Sequence, residues 1–138
     1  MADAVTSQTL SDGDRIAVVK FTNISDGTGE SSVAKVDVSA LAASNAGLTP
    51  ALATIEQIWY DVGGMRVALE WNATTNVVAA VLGGSAAAGP GSGYMDFRSF
   101  GGLKNTLASG YDGDIDLTTS GHTNLDHYTI VLELAKNY

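Results

Sequence analysis

Apolar and polar residues alternate with a period of two along much of this chain. In SSVAKVDVSAL (31–41), Ala34, Val36 and Val38 point one way, and Val33, Lys35 and Asp37 the other. In MRVALEW (65–71), Met65, Val67, Leu69 and Trp71 alternate with Arg66, Ala68 and Glu70. In HYTIVLEL (127–134), Tyr128, Ile130, Leu132 and Leu134 share a face opposite Thr129, Val131 and Glu133. Successive strand side chains point to opposite sides, so this pattern predicts half-buried strands. RIAVVKFTN (15–23), ATIEQIWYDV (53–62), NVVAAVLGG (76–84), GYMDFRSF (93–100) and GDIDLTTS (113–120) are further strand candidates.

These runs make about eight strands at roughly ten-residue spacing, separated by Gly, Asn, Asp and Ser clusters. The expected fold is all-β: a single-domain antiparallel β-sandwich or jelly-roll-like barrel with long loops. An N-terminal arm, 1–13, precedes a single β-domain, 14–138. SDGTGE (25–30), DVGGM (61–65) and WNATTNV (71–77) each join two strand-like runs, and the pair flanking Gly63-Gly64 reads as a hairpin. Helix signals are thin: SALAASNAGLTPALATI (39–55) allows one short turn before Gly47 and Pro50 break it. The low-complexity GGSAAAGPGSG (83–93) reads as an exposed, mobile loop. Trp59 and Trp71 are expected to pack the core.

Composition narrows the functional classes. The 138 residues include 45% hydrophobic ones, with mean hydropathy +0.11, which argues for one folded domain. Without cysteine there is neither a disulfide framework nor a thiolate metal site. The start, MADAVTSQTLSDGDR, lacks the basic and apolar regions of a signal peptide, and no run approaches the ~20 apolar residues of a membrane span. Fifteen acids against seven bases give a net charge of −8, and the bases are scattered from Arg15 to Lys136. Such a surface repels phosphate backbones and acidic leaflets, so neither nucleic acid nor membrane is an expected partner.

The polar stretch GDIDLTTSGHTNLDHYTIVLEL (113–134) is the natural place to look for chemistry. Asp112, Asp114 and Asp116 copy the start of a calcium loop, yet Leu117 and Thr123 stand where that loop needs its glycine and its bidentate glutamate. Asp114 and Asp116 then read as the wet face of a strand whose dry face is Ile115 and Leu117. His122 and His127, with Asp126, lack the helical i, i+4 scaffold of a zinc pair and read as turn histidines. Ser92 in GPGSG has no nucleophile elbow around it, and the same run fails as a phosphate loop. No catalytic, cofactor or metal residues are expected, and the chain is not expected to be an enzyme. Tyr94, Phe97 and Phe100 read either as core residues or, with Arg98, as the candidate interface, because aromatic residues with Arg are enriched in interface cores.

Three stretches, IWYDVGGMRVALEW, GYMDFRSFGGLKN and GDIDLTTSGHTNLDHYTIVLELAKNY, resemble small virion structural proteins of tailed bacteriophages. The resemblance spans roughly residues 10–138. Within that class it implies a capsid decoration (cement) protein that binds the major capsid protein lattice and stabilises the head. It implies a homo-oligomer on the capsid surface of the virion, assembled in the host cytoplasm, with no cofactor. A neck, tail or baseplate component, or a carbohydrate- or receptor-binding module using Tyr94 to Phe100, shares these features.

Overall fold

Nine strands form among the described residues of the computed structural model, which are 3–44, 46–83, 91–105 and 111–137, with only the backbone of 111 and 112. They are β1 Ala4–Asp12, β2 Ile16–Asp26, β3 Val33–Val36, β4 Leu52–Gly63, β5 Arg66–Ala73, β6 Val77–Leu82, β7 Gly91–Asp96, β8 Tyr111–Ser120 and β9 Asn124–Asn137. Each of the eight expected runs overlaps a strand, although GYMDFRSF does so only as far as Asp96. The ninth, β1, comes from the segment read as an arm. Two short 3-10 turns, Val38–Ala40 and Arg98–Phe100, complete the elements. No described helix is long and apolar enough to cross a membrane. The loop expected over 83–93 overlaps β7 from Gly91, and its residues 84–90 lie outside the described residues.

One sheet has the order β1-β2-β9-β4-β7 and the other β3-β8-β5-β6, with every pairing antiparallel. Leaving out β1, this is the strand order of a jelly roll: the chain passes repeatedly from sheet to sheet, and the two sheets enclose one core. That order corrects the hairpin expected at Gly63-Gly64. β4 pairs with β7 and β9, whereas β5 pairs with β6 and β8, so the two glycines carry the chain across the sandwich. Gly64 has φ +80, and a Cβ there would collide with the Asp126 carboxylate. The tight glycine turn is real, but the long-range partners decide whether it folds back or crosses over.

Period-two burial holds on both inner faces. Met65, Val67, Leu69 and Trp71 meet Tyr128, Ile130, Leu132 and Leu134, all buried. Phe21 packs edge-on against Tyr128, with centroids 6.3 Å apart. Two assignments need correction. Trp59 points outward and is 38% exposed, because β4 carries a bulge at Glu56 between Ile55 and Gln57. Asp116 is buried rather than wet. The β5–β6 turn folds over it, and its Oδ2 accepts hydrogen bonds from Asn72 (2.8 Å) and Asn76 (2.9 Å).

β1 is exposed along all nine residues, since a five-stranded sheet overhangs a four-stranded one. A carboxylate fastens it at each end. Asp3 accepts from Asn23 Nδ2 (3.0 Å) and from the amides of Asp26 (3.1 Å) and Gly29 (3.2 Å). Asp12 pairs with the buried Lys136 ammonium and accepts from the Ala42 amide. For both acids burial alone would raise the pKa, but these hydrogen bonds outweigh it and hold each below its ordinary 3.8.

Leu69→Ala and Leu132→Ala are each expected to cost about 2–5 kcal/mol in denaturant unfolding; midpoints near the parent's would show that the inner faces are misassigned. Asp116→Ala leaves two amides without their acceptor and is expected to cost about 1–3 kcal/mol. Asp61→Asn, at an exposed site, should stay within about 0.5 kcal/mol. Depressed folded-state pKa values mean that the stability from Asp3 and Asp12 is complete above 3.8 and lost as pH falls through the folded values. Asp12→Asn is therefore expected to cost about 1–3 kcal/mol at neutral pH and to flatten the acid limb of the stability curve. An acid limb as steep as the parent's would exclude Asp12 as a contributor.

Candidate functional site

The Glu56 bulge shapes the outer face of the five-stranded sheet. Before it, Ala53 and Ile55 face the core; after it, Ile58 and Val62 do, which turns Gln57, Trp59 and Asp61 outward. The register then sets Lys20, Val131, Trp59 and Tyr94 in one row across β2, β9, β4 and β7. Trp59 and Tyr94 stack with centroids 5.4 Å apart and ring planes at 29°. They are 38% and 49% exposed. One sheet positions both rings, so neither depends on a loop for its placement.

Polar groups hold the pair from one side. The Tyr94 hydroxyl donates to Gln57 Oε1, and Gln57 Nε2 donates to Glu133 Oε2 at 2.9 Å. Beyond Tyr94, Arg98 grips Asp96 through Nε (2.9 Å), Nη2 (2.8 Å) and its own amide (3.0 Å). These hydrogen bonds hold the Asp96 carboxyl well below the usual carboxylate range and raise the Arg98 guanidinium. Partial burial, then the Asp96 charge, pushes the Tyr94 phenol up.

The four interface candidates divide. Tyr94 belongs to the outer face, Arg98 is exposed but committed to Asp96, and Phe100 is 64% exposed. Phe97 is partly buried against the core, its amide bonded to the Glu56 carbonyl at 2.9 Å, and it meets Phe100 edge-on at 6.1 Å. The chain then returns to β4, where Leu103 and Ile55 exchange backbone hydrogen bonds of 2.8 and 2.9 Å. The missed member is Trp59. Its signal is the spacing of Ile55 and Ile58, which both face inward three residues apart where an unbroken strand would need an even interval.

The acids and histidines of 113–134 do not converge. Asp114 Oδ1 accepts from the Val38 amide at 3.1 Å, and Asp116 is held by Asn72 and Asn76. His122 joins Thr119 Oγ1 (3.2 Å) to the Thr28 carbonyl (3.1 Å). The His127 ring lies over Gly63, where a Cβ would come within 2.5 Å of it. Among the described residues no group of three His, Asp or Glu side chains could hold a metal ion. The amides of Asn23 and Asn72, which sit in glycosylation-type sequons, both donate inside the protein.

No protein-family model matches the chain, and no curated protein matches it. Among solved structures, a cupin superfamily protein from Desulfitobacterium hafniense is 10% identical at a TM-score of 0.34, over 100% of this chain and 82% of that one. A carbohydrate-binding module of family 29 is 7% identical at 0.33, over 96% and 89%. A protein of the extra small virus particle of the prawn Macrobrachium rosenbergii is 11% identical at 0.28, over 97% and 81%. Likeness at these TM-scores carries no argument about function, and the fold assignment rests on the strand order itself.

Proposed function

We propose that this protein is a virion structural protein of a tailed bacteriophage, a decoration protein that binds the major capsid protein lattice and carries out no chemistry. The exposed Trp59–Tyr94 pair on the outer sheet face carries the reading. Tryptophan and tyrosine dominate the energetics of protein interfaces because they bury a large area with little side-chain entropy to lose. The resemblance of 10–138 to small phage virion proteins supplies the class of partner. Its three stretches contain the end of β4 with β5, β7 with the segment after it, and β8 with β9, and so include both rings. A lattice repeats one contact many times, so modest individual affinity suffices when an oligomer engages several sites.

A second reading, a glycan-binding module, is favoured by the same rings together with the hydrogen-bonding groups of Gln57 and Glu133 beside them. Aromatic faces with flanking polar groups suit the apolar faces and hydroxyls of sugars.

Purified protein mixed with capsids that lack it, then sedimented, tests the first reading. The parent is expected in the pellet at saturation. Trp59→Ala is expected to weaken binding by about tenfold or more and to cost only about 0.5–1.5 kcal/mol of stability beyond the lost area. A parent that stays in the supernatant overturns the decoration role. Glycan binding that is lost in Trp59→Ala would then favour the second reading.

A further inference from the structure

Two buried polar groups beside the 25–30 turn are only partly satisfied. Lys35 is the extra residue of a bulge in β3, between Ala34 opposite Asp116 and Val36 opposite Ile115. Its side chain is 3% exposed, and its ammonium has three protons to donate. Among the described residues it has one partner, the Glu30 carboxylate at 2.5 Å. The Lys136 ammonium, equally out of water, meets three oxygens, of Asp12, Gly13 and Ala42. Asn23 is 1% exposed, and its Oδ1 has no hydrogen-bond partner among the described residues. Buried polar groups left unpaired cost the fold, and a buried ion pair recovers little of its desolvation cost.

One carboxylate joins the two groups. Glu30 Oε2 faces Lys35 Nζ, while Oε1 accepts from Asn23 Nδ2 at 2.7 Å and from the Tyr128 hydroxyl at 2.5 Å. The Glu30 side chain is itself 6% exposed. Asp3 Oδ2 also accepts from Nδ2, at 3.0 Å. Carboxylate oxygens can only accept, so the two acids fix the Asn23 amide with its nitrogen toward Glu30. Burial, then the Glu30 hydrogen bond, pushes the Tyr128 phenol up, so it stays a neutral donor that holds the carboxyl in place. Phe21 lies edge-on to Tyr128 and, with Val19, lines a hollow that Lys35 also lines. An amine, an amide and a proton carrier are thus held together away from water.

We infer that Lys35 and Asn23 condense into an amide bond within the folded chain, with Glu30 carrying the protons. The Lys35 ammonium gives one proton to Glu30 Oε2, which leaves a neutral amine as nucleophile. The amine attacks Asn23 Cγ, and a bond forms between Nζ and Cγ. Glu30 passes its proton to Nδ2 and takes a second one from Nζ, so the Cγ–Nδ2 bond breaks and ammonia leaves. Glu30 ends as a carboxylic acid, and both charges of the buried pair are gone. The atoms balance with ammonia as the one product released. Both reacting groups already sit on one carboxylate, so the attack needs no encounter. The product ties β2 of the five-stranded sheet to β3 of the four-stranded one, a covalent link between sheets in a chain without cysteine. The reaction happens once in each chain and turns over no substrate, so it stands or falls independently of the capsid reading.

Intact-mass measurement of the purified full chain, followed by peptide mapping, tests the bond. The parent is expected to be lighter than its sequence by the mass of one ammonia, and its digest to contain a branched peptide joining Asn23 to Lys35. Lys35→Arg keeps a charge opposite Glu30 but stays protonated and cannot attack, so it is expected at full mass. Glu30→Gln keeps the shape of the side chain but cannot carry the proton, and is expected to slow bond formation by about a hundredfold or more. The parent's own peptide map decides the matter even if neither variant folds. A parent of full mass after prolonged incubation, an ammonia loss without the branched peptide, or a bond that forms in Glu30→Gln as fast as in the parent overturns the proposal.

Discussion

The pairing of β9 between β2 and β4 is the constraint on which the rest of the molecule depends. Over fourteen residues it presents Tyr128, Ile130, Leu132 and Leu134 to the core, and His127, Thr129, Val131 and Glu133 to the outer face. Because side chains alternate strictly, a slip of one residue would exchange the two sets. That exchange would empty the core and dismantle the Lys20, Val131, Trp59, Tyr94 row in a single step. Burial of the four apolar residues, each worth roughly 1.5–3 kcal/mol, therefore also fixes the register of the outer face. Core and binding surface are two sides of one alternation.

Bulges are where that coupling is adjusted. The extra residue at Glu56 swaps the facing of β4 along its length, and so moves Trp59 from the core side to the surface beside Tyr94. The bulge at Leu125 and Asp126 ends regular pairing with β2 and throws a leucine outward. A bulge costs ladder hydrogen bonds and local regularity, and it re-aims a side chain in return. Both of these re-aim large apolar groups onto the same sheet face.

The sequence made the strands legible because alternation is a local property: Met65 to Trp71 and Tyr128 to Leu134 could be assigned to faces directly. It did not make the sheets legible. Gly63 and Gly64 mark a tight turn, but the crossing to the second sheet depends on β9 and β8, more than fifty residues away. Asp116 looked wet because its strand alternates, and only the folding of Asn72 and Asn76 across it removes it from solvent. Trp59 was assigned to the core by size, although the odd interval between Ile55 and Ile58 already signalled an interruption. From the sequence Tyr94, Phe97 and Phe100 could be core residues or an interface; the structure leaves Tyr94 and Phe100 exposed and half-buries Phe97, whose amide donates a hydrogen bond to the Glu56 carbonyl.

The two outer faces of the sandwich are chemically unlike, and this gives the molecule a direction. On the four-stranded sheet, Glu70 accepts from Thr118 at 2.9 Å, Asp116 from Asn72 and Asn76, and Ser32 reaches Glu70 at 3.3 Å. Its carboxylates are already bonded to neighbouring side chains, so a partner would have to replace existing hydrogen bonds to use them. Among the described residues, the exposed large hydrophobics of that sheet are Val33 of β3 and Val77, Val78 and Val81 of β6. The five-stranded sheet instead carries Trp59, Tyr94, Ile24 and Leu125, whose contact with a partner displaces water without breaking a protein hydrogen bond. A contact made on that side releases apolar hydration while leaving most of the −8 charge facing solvent, where it costs least. In the reading proposed above, then, orientation on a lattice needs no dedicated guiding charge. It follows from placing both bulges, with the large apolar side chains they turn outward, on one sheet.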